Sequence, residues 1–182
     1  TIIAGGAWSA LPHAYPRDVP LEAGAGVVMD LGVRVDGYCS DLTRTIFLGK
    51  PDDEFRRIYD IVLTAQMMAE ERIEAGMPGS EGHRIAATVI AEAGHAEHFG
   101  HGLGHGVGLD VHEAPRLAPS GDRELADGHV VTVEPGIYIP GWGGVRIEDQ
   151  CVMEGGRLRS LSTAPKLDLE FDVETAPGGA AR

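Results

Sequence analysis

Residues 27–46 read Val-Val-Met-Asp-Leu-Gly-Val-Arg-Val-Asp-Gly-Tyr-Cys-Ser-Asp-Leu-Thr-Arg-Thr-Ile. Two apolar, β-rich runs flank Asp36-Gly37, a strong short-range hairpin signal. With those two as the turn residues, Val35 pairs with Tyr38, Gly32 with Asp41 and Asp30 with Thr43. Asp30 and Asp41 then become diagonal neighbours on one face of a ribbon, about 7–8 Å apart. A carboxylate set among Val28, Met29 and Leu31 is costly to bury without a partner. Two that converge repel each other unless a cation lies between them. An exposed hairpin with solvated acids is the competing reading of this stretch, and the rest of the chain decides between them.

The chain has 182 residues, 43% of them hydrophobic, enough for one domain with a real core. Its 28 acidic and 15 basic residues give a net charge of −13, which argues against nucleic acid or an anionic membrane surface as partner and favours a site that collects cations. No run of ~18 apolar residues suggests a membrane span, and no signal-peptide pattern is present. Cys39 and Cys151 sit in strand-like runs and suit reduced, buried thiols of a cytoplasmic protein.

Around the hairpin, residues 1–6 read as a strand and 8–20 as a proline-rich loop holding His13. Pro51-Asp52-Asp53-Glu54 opens a helix, in which Phe55, Ile58, Val62, Ala65 and Ile73 recur at helical spacing up to Gly76. Ser80 is expected to cap a second helix with Ile85, Val89 and Ile90 on its apolar face, ending at Gly94. Residues 113–128 read as a polar loop. Val130–Glu134 reads as a strand, 137–140 as extended chain, 141–144 as a turn, 145–153 as one further strand and 158–161 as the last. One hairpin, two helices and then several antiparallel strands indicate an α+β fold.

Four acids occupy places awkward for acids: Asp30, Asp41, Glu134 and Glu148 each lie in or beside an apolar β-rich run, and the two glutamates flank a hairpin-like turn of their own. His105 lies in the glycine-rich run 102–108. His101 and His105 have the spacing of a helical metal pair, but five glycines between 100 and 108 exclude a helix there. An extended glycine-rich segment instead brings backbone close to a crowded site. Two Asp, two Glu and one His form an oxygen-rich ligand set for divalent Mn²⁺, Co²⁺ or Fe²⁺, and two ions about 3.5–4 Å apart are a standard hydrolytic device.

Six stretches carry a family resemblance: Ala10-Leu11-Pro12-His13, Met29-Asp30-Leu31-Gly32, Gly37–Thr45, Gly102–Glu113, Val133–Tyr138 and Val145–Asp149. Together they resemble the catalytic domain of the pita-bread metallopeptidases, in the proline-specific branch of Xaa-Pro dipeptidase (prolidase) and Xaa-Pro aminopeptidase (aminopeptidase P). The resemblance implies a curved antiparallel sheet with flanking helices, with most of the catalytic domain over residues 1–176 and a flexible tail at 177–182. It implies that Asp30, Asp41, His105, Glu134 and Glu148 hold two metal ions, Mn²⁺ favoured and Co²⁺, Fe²⁺ or Zn²⁺ compatible. It also implies a substrate site lined by His13, His101, His112 and Arg146, with Tyr138 close to the metals. In the mechanism so implied, Glu134 is the proton shuttle, His112 stabilises the oxyanion and His13 holds the proline end of the peptide.

With 28 residues between His105 and Glu134, the loops are compact and favour the prolidase reading. Aminopeptidase P is the alternative. Creatinases and metal-free binding proteins of the same fold are the runner-up classes, and their defining losses are absent here; methionine aminopeptidases share the metal set, but the Ser-Asp-Leu-Thr-Arg-Thr run and the His13 loop resemble the proline-specific branch. His83 is expected at the surface of a helix, His95, His98 and His129 are expected to be structural, and Arg44 is expected to partner a carboxylate. The resemblance further implies a preceding N-terminal segment, absent from residues 1–182, and a homodimer.

Overall fold

Asp36 and Gly37 both adopt positive φ (50° and 90°), so the hairpin turns through the two residues the sequence singles out. In the computed structural model, which describes residues 1–166 and the short strand 170–171, that turn joins β3 (Arg34–Val35) to β4 (Tyr38–Cys39). The longer strands β2 (Gly26–Leu31) and β5 (Leu42–Leu48) continue the ribbon. Arg34 pairs with Cys39 and Asp30 with Thr43, so one register runs the whole length, as expected. Gly32 is needed where the ribbon narrows, since a Cβ there would lie 2.0 Å from the Ser40 carbonyl oxygen.

Strand β1 (Ile2–Gly5) pairs antiparallel with β2 and is followed by a 3₁₀ turn over Gly6–Ala10. Helix α1 (Asp53–Arg72) starts where expected, with the Asp52 carboxylate accepting the Phe55 N–H at 2.7 Å. Its repeat of Phe55, Ile58, Tyr59, Val62, Ala65 and Ala69 is buried. Helix α2 (Gly79–Glu92) corrects one expectation: Pro78 occupies the N-cap, no side chain caps the end, and Ser80 lies inside the helix. Gly79 sits so close to the neighbouring strand that a Cβ would lie 2.0 Å from Arg116 O.

The glycine-rich run forms β6 (Gly104–Gly106), extended as expected. Residues 113–117 form β7 (Glu113–Leu117) instead of loop. Pro115 made this segment read as loop, but β7 is the edge strand of its sheet, where a missing N–H is tolerated. The chain then forms β8 (Val130–Val133), β9 (Gly136–Ile139), β10 (Gly143–Arg146), β11 (Asp149–Glu154) and β12 (Arg157–Ser160). The single strand expected over 145–153 is therefore two. β9 pairs with β10 and β8 with β11, and both pairings share one register, so residues 130–154 form a second long hairpin. Continuing that register places Glu134 opposite Glu148.

Four strands stand in the order β1-β2-β5-β13, where β13 (Glu170–Phe171) pairs parallel with β5, and five in the order β12-β11-β8-β6-β7. The helices bury Ile58, Val62 and Ile90 against Leu103, Leu117, Val131, Val133 and Met153. The expected tail at 177–182 lies outside the described residues. Among the described residues, no helix is long and apolar enough to cross a membrane.

Candidate metal centre

The second hairpin changes partners at its two glutamates. Pro135 has no N–H, and Glu134 N–H donates to Leu103 O at 2.8 Å instead of across its own hairpin. Glu148 N–H donates to Thr43 O at 3.1 Å, in the first hairpin. Glu134 is thereby stitched to the His105 segment and Glu148 to the Asp30–Asp41 ribbon. This break in pairing is why 145–153 is two strands, and it is what brings both hairpins to one place. Thr45 reinforces the junction, its Oγ1 donating to Arg146 O (2.8 Å) and accepting Arg146 N–H (3.0 Å).

Three overlapping groups of donor atoms result, each with its atoms within 4.8 Å of one another: Asp30, Asp41 and Glu148; His105, Glu134 and Glu148; Asp41, His105 and His112. All five expected ligands converge. His112, expected on the substrate side, reaches the same cluster, with its ring edge-on to His105 at 4.2 Å. His105 Nδ1 faces Gly106 O at 3.1 Å, which leaves Nε2 towards Glu134 Oε1 (3.1 Å) and Asp41 Oδ2 (3.7 Å). Thr132 fixes both sides of that contact, accepting the His105 N–H and donating to Glu134 Oε1, each at 3.0 Å.

The electrostatics are those of a site short of positive charge. Burial, then the charges of Asp30 and Glu134, pushes Asp41 up to about 6. Burial, then the charges of Glu134 and Asp41, raises Glu148 well above the usual range. Burial would also raise Glu134, but the His105 hydrogen bond and charge outweigh it and hold it low. Burial would lower His105, yet Glu134 raises it overall. Buried carboxylates that repel one another, with an imidazole nitrogen aimed among them, fit oxygen-preferring divalent cations.

Behind the acids lies a second layer. Arg146 spends its guanidinium on Asp30 Oδ2 (2.5 Å), Tyr138 Oη (2.8 Å), Pro12 O (3.0 Å) and Thr43 Oγ1 (3.2 Å). Burial lowers the Arg146 pKa, but Tyr138 and Asp30 more than reverse it. Tyr138 is buried, and its hydroxyl links Arg146 to His101 Nε2 (3.0 Å), while His101 Nδ1 faces Gly102 O at 2.6 Å. Tyr138 therefore braces His101 from behind instead of facing the cavity, and both His101 nitrogens are occupied. His13 is exposed on the loop that Arg146 grips through Pro12, and it lines the same cavity of about 650 Å³ as the acids. Partial burial and then His105 lower the pKa of His112, which also lines it.

Sequence reasoning passed over Thr43, Thr132 and Arg116, and it took His83 for a surface residue of a helix. Thr43 Oγ1 donates to Glu148 Oε2 at 2.6 Å. The hairpin register, which puts Thr43 opposite Asp30, was signal enough to find it. Arg116 lies opposite His105 in β7 and lines the cavity. His83 is half-buried and accepts the Leu103 N–H at 3.2 Å, so it is not a plain surface residue. Arg44 does partner a carboxylate, buried Asp149, at 2.6 Å, and donates to Glu148 O at 2.5 Å.

Residues 1–154 match metallopeptidase family M24. The Xaa-Pro dipeptidase of Pyrococcus furiosus is 48% identical over 168 residues, 92% of this chain and 48% of that protein. The solved structure of the Xaa-Pro dipeptidase from Bacillus anthracis superposes with a TM-score of 0.91 at 46% identity, over 93% of this chain and 48% of that one. The X-Pro aminopeptidase of Thermotoga maritima superposes with a TM-score of 0.90 at 40% identity, over 93% of this chain and 48% of that one. The chain spans about half the length of the curated relatives it matches.

Proposed function

Because this chain belongs to metallopeptidase family M24 and has the pita-bread α+β fold, we propose that it carries the catalytic centre of a metal-dependent peptidase that hydrolyses Xaa-Pro bonds, foremost in dipeptides. The observation that carries the reading is the convergence of Asp30, Asp41, His105, Glu134 and Glu148 from two hairpins and a glycine-rich strand on one open cavity. Those five residues would hold two divalent ions, Mn²⁺ by preference. Such ions, when bound, supply Lewis acidity towards the scissile carbonyl and acidify water.

The chain's own residues supply the rest. Glu134, held by Thr132 and by His105, takes up a proton from the water whose oxygen adds to the scissile carbonyl carbon and delivers it to the prolyl nitrogen as the C–N bond breaks. His112, at the cluster's edge, donates to the developing oxyanion. His13 and the braced His101 form the wall against which the proline ring rests. The proline nitrogen offers no N–H, so the site needs no acceptor there. Arg116 and Arg34, both on the cavity wall, suit the free carboxylate of a dipeptide.

Residues 1–176 make up most of the catalytic domain in this reading. The whole protein would add a segment matching the rest of the relatives' length and assemble as a homodimer. Cys39 and Cys151, both free thiols, suit a cytoplasmic setting. The similarity to the Thermotoga aminopeptidase keeps a tripeptide substrate as the second reading. Hydrolysis of an Xaa-Pro dipeptide and an Xaa-Pro-Yaa tripeptide by the whole protein with added Mn²⁺ separates them. Faster cleavage of the dipeptide is expected, a preference for the tripeptide selects the aminopeptidase, and cleavage of neither overturns both.

A further inference from the structure

Helix α2 sends one imidazole towards the strand that carries His105. The His83 ring stacks on Phe99 with centroids 5.2 Å apart, and Phe99 meets His101 edge-on, also at 5.2 Å. His83 Nδ1 accepts the backbone N–H of Leu103 at 3.2 Å. Accepting there fixes the tautomer, with the lone pair on Nδ1 and the hydrogen on Nε2. Leu103 stands between His101 and His105 and is fully buried. Its carbonyl accepts the Glu134 N–H at 2.8 Å. Both backbone polar groups of this one residue are therefore committed, one to His83 and the other to Glu134. Without His83 the N–H would be buried with no acceptor, and the strand would have to move to satisfy it.

We propose that His83 is a positioning residue for the metal centre: its Nδ1 lone pair holds Leu103 in the place that lets His105 and Glu134 converge and turns His101 to the cavity. The proposal rests on reading the five convergent residues as metal ligands. It predicts that the acceptor, not the ring's bulk, is what matters.

Two variants of the whole protein test this. His83→Ala removes the acceptor. His83→Asn keeps one, because the Asn side-chain oxygen sits about where Nδ1 does. Mn²⁺ affinity is read by calorimetric titration of chelator-treated protein, with kcat and KM for an Xaa-Pro dipeptide measured separately. His83→Ala should weaken Mn²⁺ binding by about 10–100-fold, as loss of outer-layer support commonly does, and lower kcat more than it raises KM. His83→Asn should recover most of both.

An Ala variant that melts earlier yet binds Mn²⁺ as tightly as wild type would reduce His83 to a packing residue and overturn the proposal. An Asn variant as impaired as the Ala variant would do the same. Wild-type protein that binds Mn²⁺ but cuts no Xaa-Pro peptide overturns the substrate reading alone, because the titrations still answer for His83. Wild-type protein that binds no Mn²⁺ overturns both.

Discussion

Asp41 is pushed up to about 6, by burial ahead of the charges of Asp30 and Glu134. A raised carboxyl pKa means that the folded state holds the proton more tightly than the unfolded chain does. In metal-free protein the stability Asp41 contributes is therefore full below the ordinary carboxylate value and lost as pH rises through about 6. A metal ion selects the opposite form, since it binds the ionised carboxylate. The rise in melting temperature on adding Mn²⁺ should be large above about pH 7 and shrink as the pH falls through 6. Melting curves with and without Mn²⁺ between about pH 5 and 8 check this, and an increment that stays constant across the range counts against Asp41 as a ligand. The acids were legible from sequence because each sits where its neighbours are apolar, and only a partner explains such placement. His83 was not legible. Its helical spacing places it on α2, but that its ring would meet a backbone N–H twenty residues away depends on how α2 packs against β7 and the segment leading into β6.

At the scale of elements, the first hairpin was readable down to its register because two turn residues fix every pairing that follows. The second was readable only in part. Its strands showed, but the switch of partners at Glu134 and Glu148 depends on strands distant in sequence. β7 was hidden by Pro115, a residue that marks loops more often than edge strands. β6 is where close approach is most exacting. A Cβ on Gly104 would lie 2.0 Å from Thr132 O, which is backbone and cannot step aside. Gly104→Ala should cost about 3 kcal/mol of stability and weaken Mn²⁺ binding, by forcing β6 away from β8. Gly100, with nothing within 4 Å of an added Cβ, provides the control: Gly100→Ala should be close to neutral. Urea unfolding of the two variants decides, and equal losses would refute the close-approach argument.

For the molecule as a whole, the candidate metal centre is the seam between two long hairpins, residues 26–47 and 130–154, each contributing two acids. Ions held there tie together segments a hundred residues apart. Removing them with a chelator should raise amide hydrogen exchange in both hairpins at once, around Asp30–Thr43 and around Val133–Asp149. Binding at a hundred times the dissociation constant stabilises by about 2.7 kcal/mol, enough to read. Loss of protection in one hairpin alone would mean that the ions do not span the seam. Each ribbon's register also has a consequence for how the chain reaches its native state. A slip of one residue turns every side chain of the slipped strand to the opposite face, so a misaligned ribbon withdraws at least one carboxylate from the cluster. Metal uptake by this centre would then act as a proofreading step: ions would be retained only by chains in which both hairpins have closed in register, and supplying them during refolding should enrich correctly paired molecules over their misaligned competitors.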